Sequence, residues 1–114
     1  MPVMKAKAEA IQRVGGEVVP AIMYGLTDLH TDEFFADRAR EMASWPVVNT
    51  IYVEDAPVVL TPERAATLLP ALQAATGDVR LELHCHNTTG LAQLVYAEGF
   101  KAGIDIIHTC SLPL

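Results

Sequence analysis

β-Rich runs and helix-like runs alternate along this chain from one end to the other, and no other feature of the sequence restricts its fold as much. The β-rich runs begin near residues 17, 50, 79 and 104, at spacings of 33, 29 and 25 residues. A tight turn suffices between antiparallel strands, whereas strands separated by a helix-length crossover mark βαβ units and a parallel sheet. The punctuation agrees. A helix over 4–14 is stopped by Gly15-Gly16, and residues 17–24 (EVVPAIMY) read as a strand blemished by Pro20. Thr31 is placed to cap a helix over 32–45 that Pro46 ends, and residues 50–54 form a second strand. Thr61-Pro62-Glu63 opens a helix to about Ala75 that Pro70 should kink and Gly77 should close. A strand over 79–86 follows, then a helix to about Lys101 capped by Thr88 or Thr89, and a last strand over 104–109.

The expected class is therefore α/β, with four parallel strands. Two architectures share this rhythm: part of a (β/α)8 barrel, or a small flavodoxin-like sheet. With 114 residues, the chain is far shorter than the roughly 250 of a whole barrel. It opens on a helix with no strand before it and closes on a strand, so the expectation is one partial barrel domain over 1–114. Apolar residues make up 51%, enough for a buried core. The net charge of −6 argues against a nucleic-acid partner, and no apolar run approaches a membrane span. Two cysteines make no disulfide framework and the start lacks a secretory pattern, which predicts a cytoplasmic protein.

The segment that bears chemistry is Leu81-Glu82-Leu83-His84-Cys85-His86-Asn87-Thr88-Thr89-Gly90. Side chains alternate faces along a strand, so Arg80, Glu82, His84 and His86 share one face while Leu81, Leu83 and Cys85 share the other. The apolar set suits a helix layer, and the polar set then faces a barrel interior or cleft. His84 and His86 fall at the C-terminal end of the strand, where α/β folds build their sites. Two imidazoles at i, i+2 can share one divalent cation if carboxylates complete the shell; the alternative is a pair of surface or hydrogen-bonded histidines. The same alternation puts Thr50, Tyr52 and Glu54 inward. Tyr24, at a strand end, is a candidate for lining a substrate pocket or for simple packing. Cys85 reads as a core thiol, and Arg80 and Glu82 as an interior ion pair.

His84-Cys85-His86-Asn87-Thr88-Thr89-Gly90 resembles the His-x-His segment of the DRE-TIM metallolyases, which include hydroxymethylglutaryl-CoA lyase and the pyruvate carboxyltransferase domains. Val53-Glu54-Asp55-Ala56-Pro57-Val58-Val59-Leu60-Thr61-Pro62 resembles the fifth-strand segment of the carboxyltransferase branch, and Gly103-Ile104-Asp105-Ile106-Ile107-His108-Thr109 its seventh strand. The likeness spans about residues 17–114. It implies a (β/α)8 barrel whose fourth to seventh units are present, with a divalent metal (Zn, Mn, Co or Mg) at the C-terminal face. It implies a C–C lyase or carboxyltransferase that acts through a metal-stabilised enolate on a 2-oxo acid, pyruvate or oxaloacetate, or on an acyl-CoA.

Position by position, the resemblance makes His84 and His86 metal ligands. Glu54 stands where the carboxyltransferase branch has a lysine, usually carboxylated; it is a candidate ligand with a shorter stem, or a plain hydrogen-bonded glutamate. Asn87 is a further ligand or a polar cap, Asp55 a residue supporting the ligands or shaping the turn. His108 replaces a common acid, as an acid–base group or a hydrogen-bonded interior histidine. The Asp-Arg-Glu signature of the first strand does not occur, which implies weak or no activity for this stretch alone. The expected partners are the missing part of a barrel or a second copy, through open strand edges. Two other readings compete: a non-catalytic half-barrel serving as scaffold or oligomerisation module, and a metal-dependent amidohydrolase, in which His-x-His falls on the first strand.

Overall fold

The structure, a computed structural model, describes residues 1–111, so the last three residues of the expected domain lie outside it. Its elements run α1 (Pro2–Arg13), β1 (Ala21–Met23), α2 (Asp32–Ala43), β2 (Thr50–Asp55), α3 (Pro62–Thr76), β3 (Arg80–Cys85), α4 (Ala92–Lys101) and β4 (Ile106–Ile107). The strands form one parallel sheet in the order β1-β2-β3-β4. That order decides between the two architectures. A flavodoxin-like sheet reverses direction after its first strand, whereas a barrel lays each strand beside the one before it. Four parallel strands alternating with four helices are thus an arc of an α/β barrel.

The predicted caps explain where two helices start. Thr31 Oγ1 accepts from the Phe34 amide at 3.1 Å and Thr61 Oγ1 from the Arg64 amide at 3.2 Å. Asp32 and Glu33 then sit where the positive end of α2 favours carboxylates. Proline shapes the rest. β1 is shorter than its β-rich run because Pro20 has no N–H to give the sheet; its carbonyl still accepts from Tyr52 at 3.0 Å. α3 runs unbroken through Pro70, which lies exposed, so the carbonyl of exposed Ala66 that loses its helical donor faces water.

α2 packs on α3 and α3 on α4, one layer of helices along the sheet. Against it lie Ile22, Ile51, Val53, Leu81 and Leu83, all at most 5% exposed, packed with Phe35, Ala39, Leu68, Leu69, Leu72 and Val95. Each such large side chain contributes about 1.5–3 kcal/mol by leaving water. Gly99 lets α4 approach: a methyl group there would meet Leu83 Cδ2 at 3.0 Å. The turn into β4 is a helix-ending motif in which Gly103, at φ +90°, lets the Ile104 amide reach back to the Gly99 carbonyl at 2.9 Å. Ile104 is thereby buried and the chain is delivered alongside β3.

One predicted cap is corrected. Neither Thr88 nor Thr89 starts α4; the helix begins at Ala92, whose amide donates to Asn87 Oδ1 at 3.1 Å. A turn closes first, with the Gly90 amide on the Asn87 carbonyl at 3.1 Å and Gly90 at φ +75°, which brings the Asn87 side chain under the helix end.

Candidate metal centre

β2 and β3 pair in a register that sets Glu54 directly beside His84. Because side chains alternate, Tyr52 and Glu54 on β2, Glu82 and His84 on β3, and His86 just past its end face away from the helix layer. Glu54, His84 and His86 each offer one ligand atom, and these atoms all lie within 4.8 Å of one another. Glu54 and His84 are half-buried and His86 is exposed, so the cluster sits at the rim of the C-terminal end of the sheet. Two imidazoles and a carboxylate at this separation match the donor chemistry of zinc, manganese or cobalt sites and leave coordination positions over for water or substrate. The donor set therefore fits a divalent cation, with Glu54 reaching the cluster as it stands, without the longer arm of a carboxylated lysine.

His108 follows β4 on the same face. Its Nε2 lies 2.8 Å from Glu82 Oε2 and its Nδ1 lies 3.2 Å from His84 Nδ1. Glu82 thus pairs with His108 and not with Arg80 as the sequence suggested; Arg80 is exposed at the other end of the strand. Tyr52 stacks on the His108 ring at 5.4 Å and meets His84 edge-on at 5.8 Å. From the helix layer, the Tyr96 hydroxyl donates to the His108 carbonyl at 2.7 Å and accepts from the Cys85 amide at 3.0 Å, tying the ends of β3 and β4 together. Alternation placed Tyr52 on the inward face without giving it a role, and sequence reasoning gave none to Tyr96, since a tyrosine on a helix is ordinary core material until its neighbours are known.

The remaining candidates lie apart from this cluster or serve it indirectly. Tyr24 is 3% exposed and stacked on Phe35 at 5.6 Å, in the core under α2 and not in a pocket. Asn87 spends its side-chain oxygen on capping α4. Asp55 is buried, and its two oxygens accept from the Val59 and Leu60 amides at 3.0 and 2.9 Å, which makes it the clamp of the loop after β2. Cys85 packs against the core, where burial pushes its thiol up to about 12; it stays a neutral thiol between the two histidines. A cleft of about 650 Å³ reaches from His84, His86 and His108 around the flank of β4 to Tyr96, Phe100 and Ile107. It runs across both faces of the sheet, so it is the open flank of the sheet and not a closed substrate pocket.

The Glu54 carboxylate that the Tyr52 phenol faces, aided by partial burial, pushes the phenol up to about 12 from its ordinary 10.0. The raised value favours the neutral phenol in the folded chain. The contribution of Tyr52 to stability is therefore full below pH 10 and is lost as pH rises from 10 through about 12. In the metal-free chain, Glu54→Ala is expected to bring Tyr52 back toward its ordinary value. Phenolate absorbance, read as a difference against Tyr52→Phe, checks this; an unchanged titration would mean that Glu54 does not set it.

No family model matches the chain. Single proteins do. The chain is 33% identical over 93 residues to a pyruvate carboxylase subunit of Methanothermobacter thermautotrophicus, an overlap covering 82% of this chain and 16% of that protein. It is 33% identical over 97 residues to 4-hydroxy-2-oxovalerate aldolase of Roseiflexus, covering 85% and 28%. Among solved structures, the carboxyl transferase domain of Rhizobium etli pyruvate carboxylase with pyruvate and biocytin superposes with a TM-score of 0.80 at 26% identity, over 91% of this chain and 18% of that one. The chain spans less than a third of the length of each of these relatives. With the parallel arc, the strand-end His-x-His and these relatives in place, the chain belongs to the DRE-TIM metallolyases, on the side of the pyruvate carboxylase carboxyltransferase domains, as a four-stranded part of their barrel.

Proposed function

We propose that this chain supplies the cation-holding arc of a barrel that makes or breaks a C–C bond beside the carbonyl of a 2-oxo acid, by carboxyl transfer or lyase chemistry. The observation that carries this reading is the convergence of Glu54, His84 and His86 within 4.8 Å at the C-terminal ends of neighbouring parallel strands. A divalent cation, when bound there, supplies a Lewis acid that polarises a carbonyl oxygen and offsets negative charge developing next to it. Glu54 contributes the one anionic donor, the two imidazoles contribute neutral donors, and Tyr52 and His108 wall the face on which a small oxo acid would lie. Pyruvate or oxaloacetate is the favoured substrate class, since the relatives are a pyruvate carboxylase subunit and an oxovalerate aldolase, and the Rhizobium domain holds pyruvate. An acyl-CoA is the second choice. The same relatives weigh against an amidohydrolase.

The rest of the barrel, or a second copy of the chain, is the expected partner, because β1 and β4 each leave one edge unpaired among the described residues. A monodisperse monomer in light scattering would count against pairing by a second copy. Alone, the arc is expected to turn over weakly or not at all. One observation favours a scaffold role instead, the glutamate at position 54 where the carboxyltransferase branch carries lysine.

The test is metal retention. The chain is incubated with Zn²⁺ or Mn²⁺, desalted and analysed by plasma mass spectrometry, then assayed with oxaloacetate. Near-stoichiometric metal with slow decarboxylation supports the enzyme reading. Metal without turnover favours the scaffold. No retained metal would overturn the cation site.

A further inference from the structure

Beyond the three candidate ligands, a line of hydrogen bonds runs away from the cluster: His84 Nδ1 to His108 Nδ1 at 3.2 Å, then His108 Nε2 to Glu82 Oε2 at 2.8 Å. We infer that Glu82 and His108 are positioning residues that fix the tautomer of His84, holding its proton on Nδ1 so that Nε2 presents a free lone pair to a cation. This inference rests on the cation-site reading above.

The argument is one of donors and acceptors. An ionised carboxylate can only accept, so the 2.8 Å contact requires the proton on His108 Nε2. A neutral imidazole with that nitrogen as donor has Nδ1 as acceptor. With His108 neutral, the second contact, which joins two ring nitrogens and needs one proton between them, takes that proton from His84 Nδ1. His84 is left with its lone pair on Nε2, the form in which a neutral imidazole ligates metal. A histidine free in water prefers the opposite tautomer, with the proton on Nε2 and nothing to offer there. The relay thus selects the minor form.

The surroundings hold the relay in register. Tyr52 stacks flat on His108, 23° from parallel, and stands edge-on to His84. The His108 backbone is fixed on both sides, its amide on the Leu83 carbonyl at 2.9 Å and its carbonyl under the Tyr96 hydroxyl at 2.7 Å. Residues that orient a ligating histidine in this way typically change metal affinity about 10–100-fold when removed.

The experiment uses the full chain. Long-range proton–nitrogen correlation spectra of the metal-free protein read the tautomer of His84, and competition with a chromogenic chelator reads Zn²⁺ affinity. The expected wild-type spectrum shows His84 protonated on Nδ1. His108→Phe keeps a flat ring on Tyr52 but removes the acceptor; it is expected to shift His84 toward the Nε2-protonated form and to weaken Zn²⁺ binding about 10–100-fold. Glu82→Leu, at a partly exposed position, removes the acceptor that holds the proton on His108 Nε2 and is expected to act in the same direction, so it carries the test if His108→Phe does not fold. A role confined to packing would leave the tautomer unmoved. Wild-type His84 protonated on Nε2, or a tautomer and affinity unchanged in both variants, overturns the relay. If His84 carries its proton on Nδ1 and Zn²⁺ still fails to bind the wild-type chain, the cation site falls and the failure lies with that reading.

Discussion

Alanine at either His84 or His86 is expected to weaken Zn²⁺ binding on the order of 100-fold or more while leaving the fold intact. Removing a residue that merely orients a ligand costs about 10–100-fold, so losing a donor outright belongs at or beyond the top of that range. Only Glu54 and one imidazole would remain, and no other group of three His, Cys, Asp or Glu donors converges among the described residues. Cys85 lies between the two histidines in sequence, but alternation turns its partly buried thiol to the other face of the sheet, against the core. The structural cost should be small. His86 is exposed and its one hydrogen bond to another strand, from its backbone amide to the Asp55 carbonyl at 3.4 Å, survives alanine, so truncation should stay within about 0.5 kcal/mol. His84→Ala also removes the ring nitrogen that His108 Nδ1 meets at 3.2 Å, a contact that His86→Ala leaves in place. Competition titration beside urea denaturation separates the effects. Wild-type affinity in both variants would place the cation elsewhere.

The largest loss of stability is expected at Asp55, which takes no part in the chemistry. Its side chain is 2% exposed, and its two oxygens hold the Val59 and Leu60 amides. Between these anchor points, Val58 sits at φ +61°, a left-handed conformation that costs a branched residue about 1–2 kcal/mol. The carboxylate keeps this strained loop closed. Hydrogen bonds to a charged acceptor contribute about 1.5–3 kcal/mol each, and Asp55→Ala leaves two amides without partners. A loss of about 3–5 kcal/mol follows, a large part of the roughly 5–15 kcal/mol that holds a domain folded. Asp55→Asn keeps one accepting oxygen and should lose about half as much. Urea midpoints give the comparison; equal midpoints for wild type and alanine would show that the loop holds without its clamp. Glu54 is the preceding residue, so metal affinity should fall with the loop even though no ligand has changed.

Much of this molecule is legible in its sequence because its signals are local. Thr31 and Thr61 cap because a hydroxyl sits three residues before an amide it can reach, and Leu81 and Leu83 are buried because period-two alternation allows only one apolar face. His84 and His86 fall together for the same reason. What misled is non-local or degenerate. Thr88, Thr89 and Asn87 are all good capping residues, and only the turn through Gly90 selects the asparagine. Arg80 and Glu82 share a strand face, but they stand two residues apart, about 6.6 Å along a strand, while His108 arrives from 26 residues away to within hydrogen-bond range. Tyr24 looks the same in sequence whether it lines a pocket or stacks on Phe35, because the loop that follows it decides. The tyrosine that does face the histidines, Tyr52, is indistinguishable by type from the one that does not.

The sheet order β1-β2-β3-β4 has a kinetic consequence. Every strand pairs with its predecessor in the chain, strand starts lie only 26–30 residues apart, and each new crossover lands on a surface already formed. The entropy of loop closure grows only slowly over such lengths, and no strand must wait for a distant segment before it can dock. Assembly can therefore proceed strand by strand along the chain, and the β1–β2 pair that carries Glu54 offers the edge on which β3 sets His84.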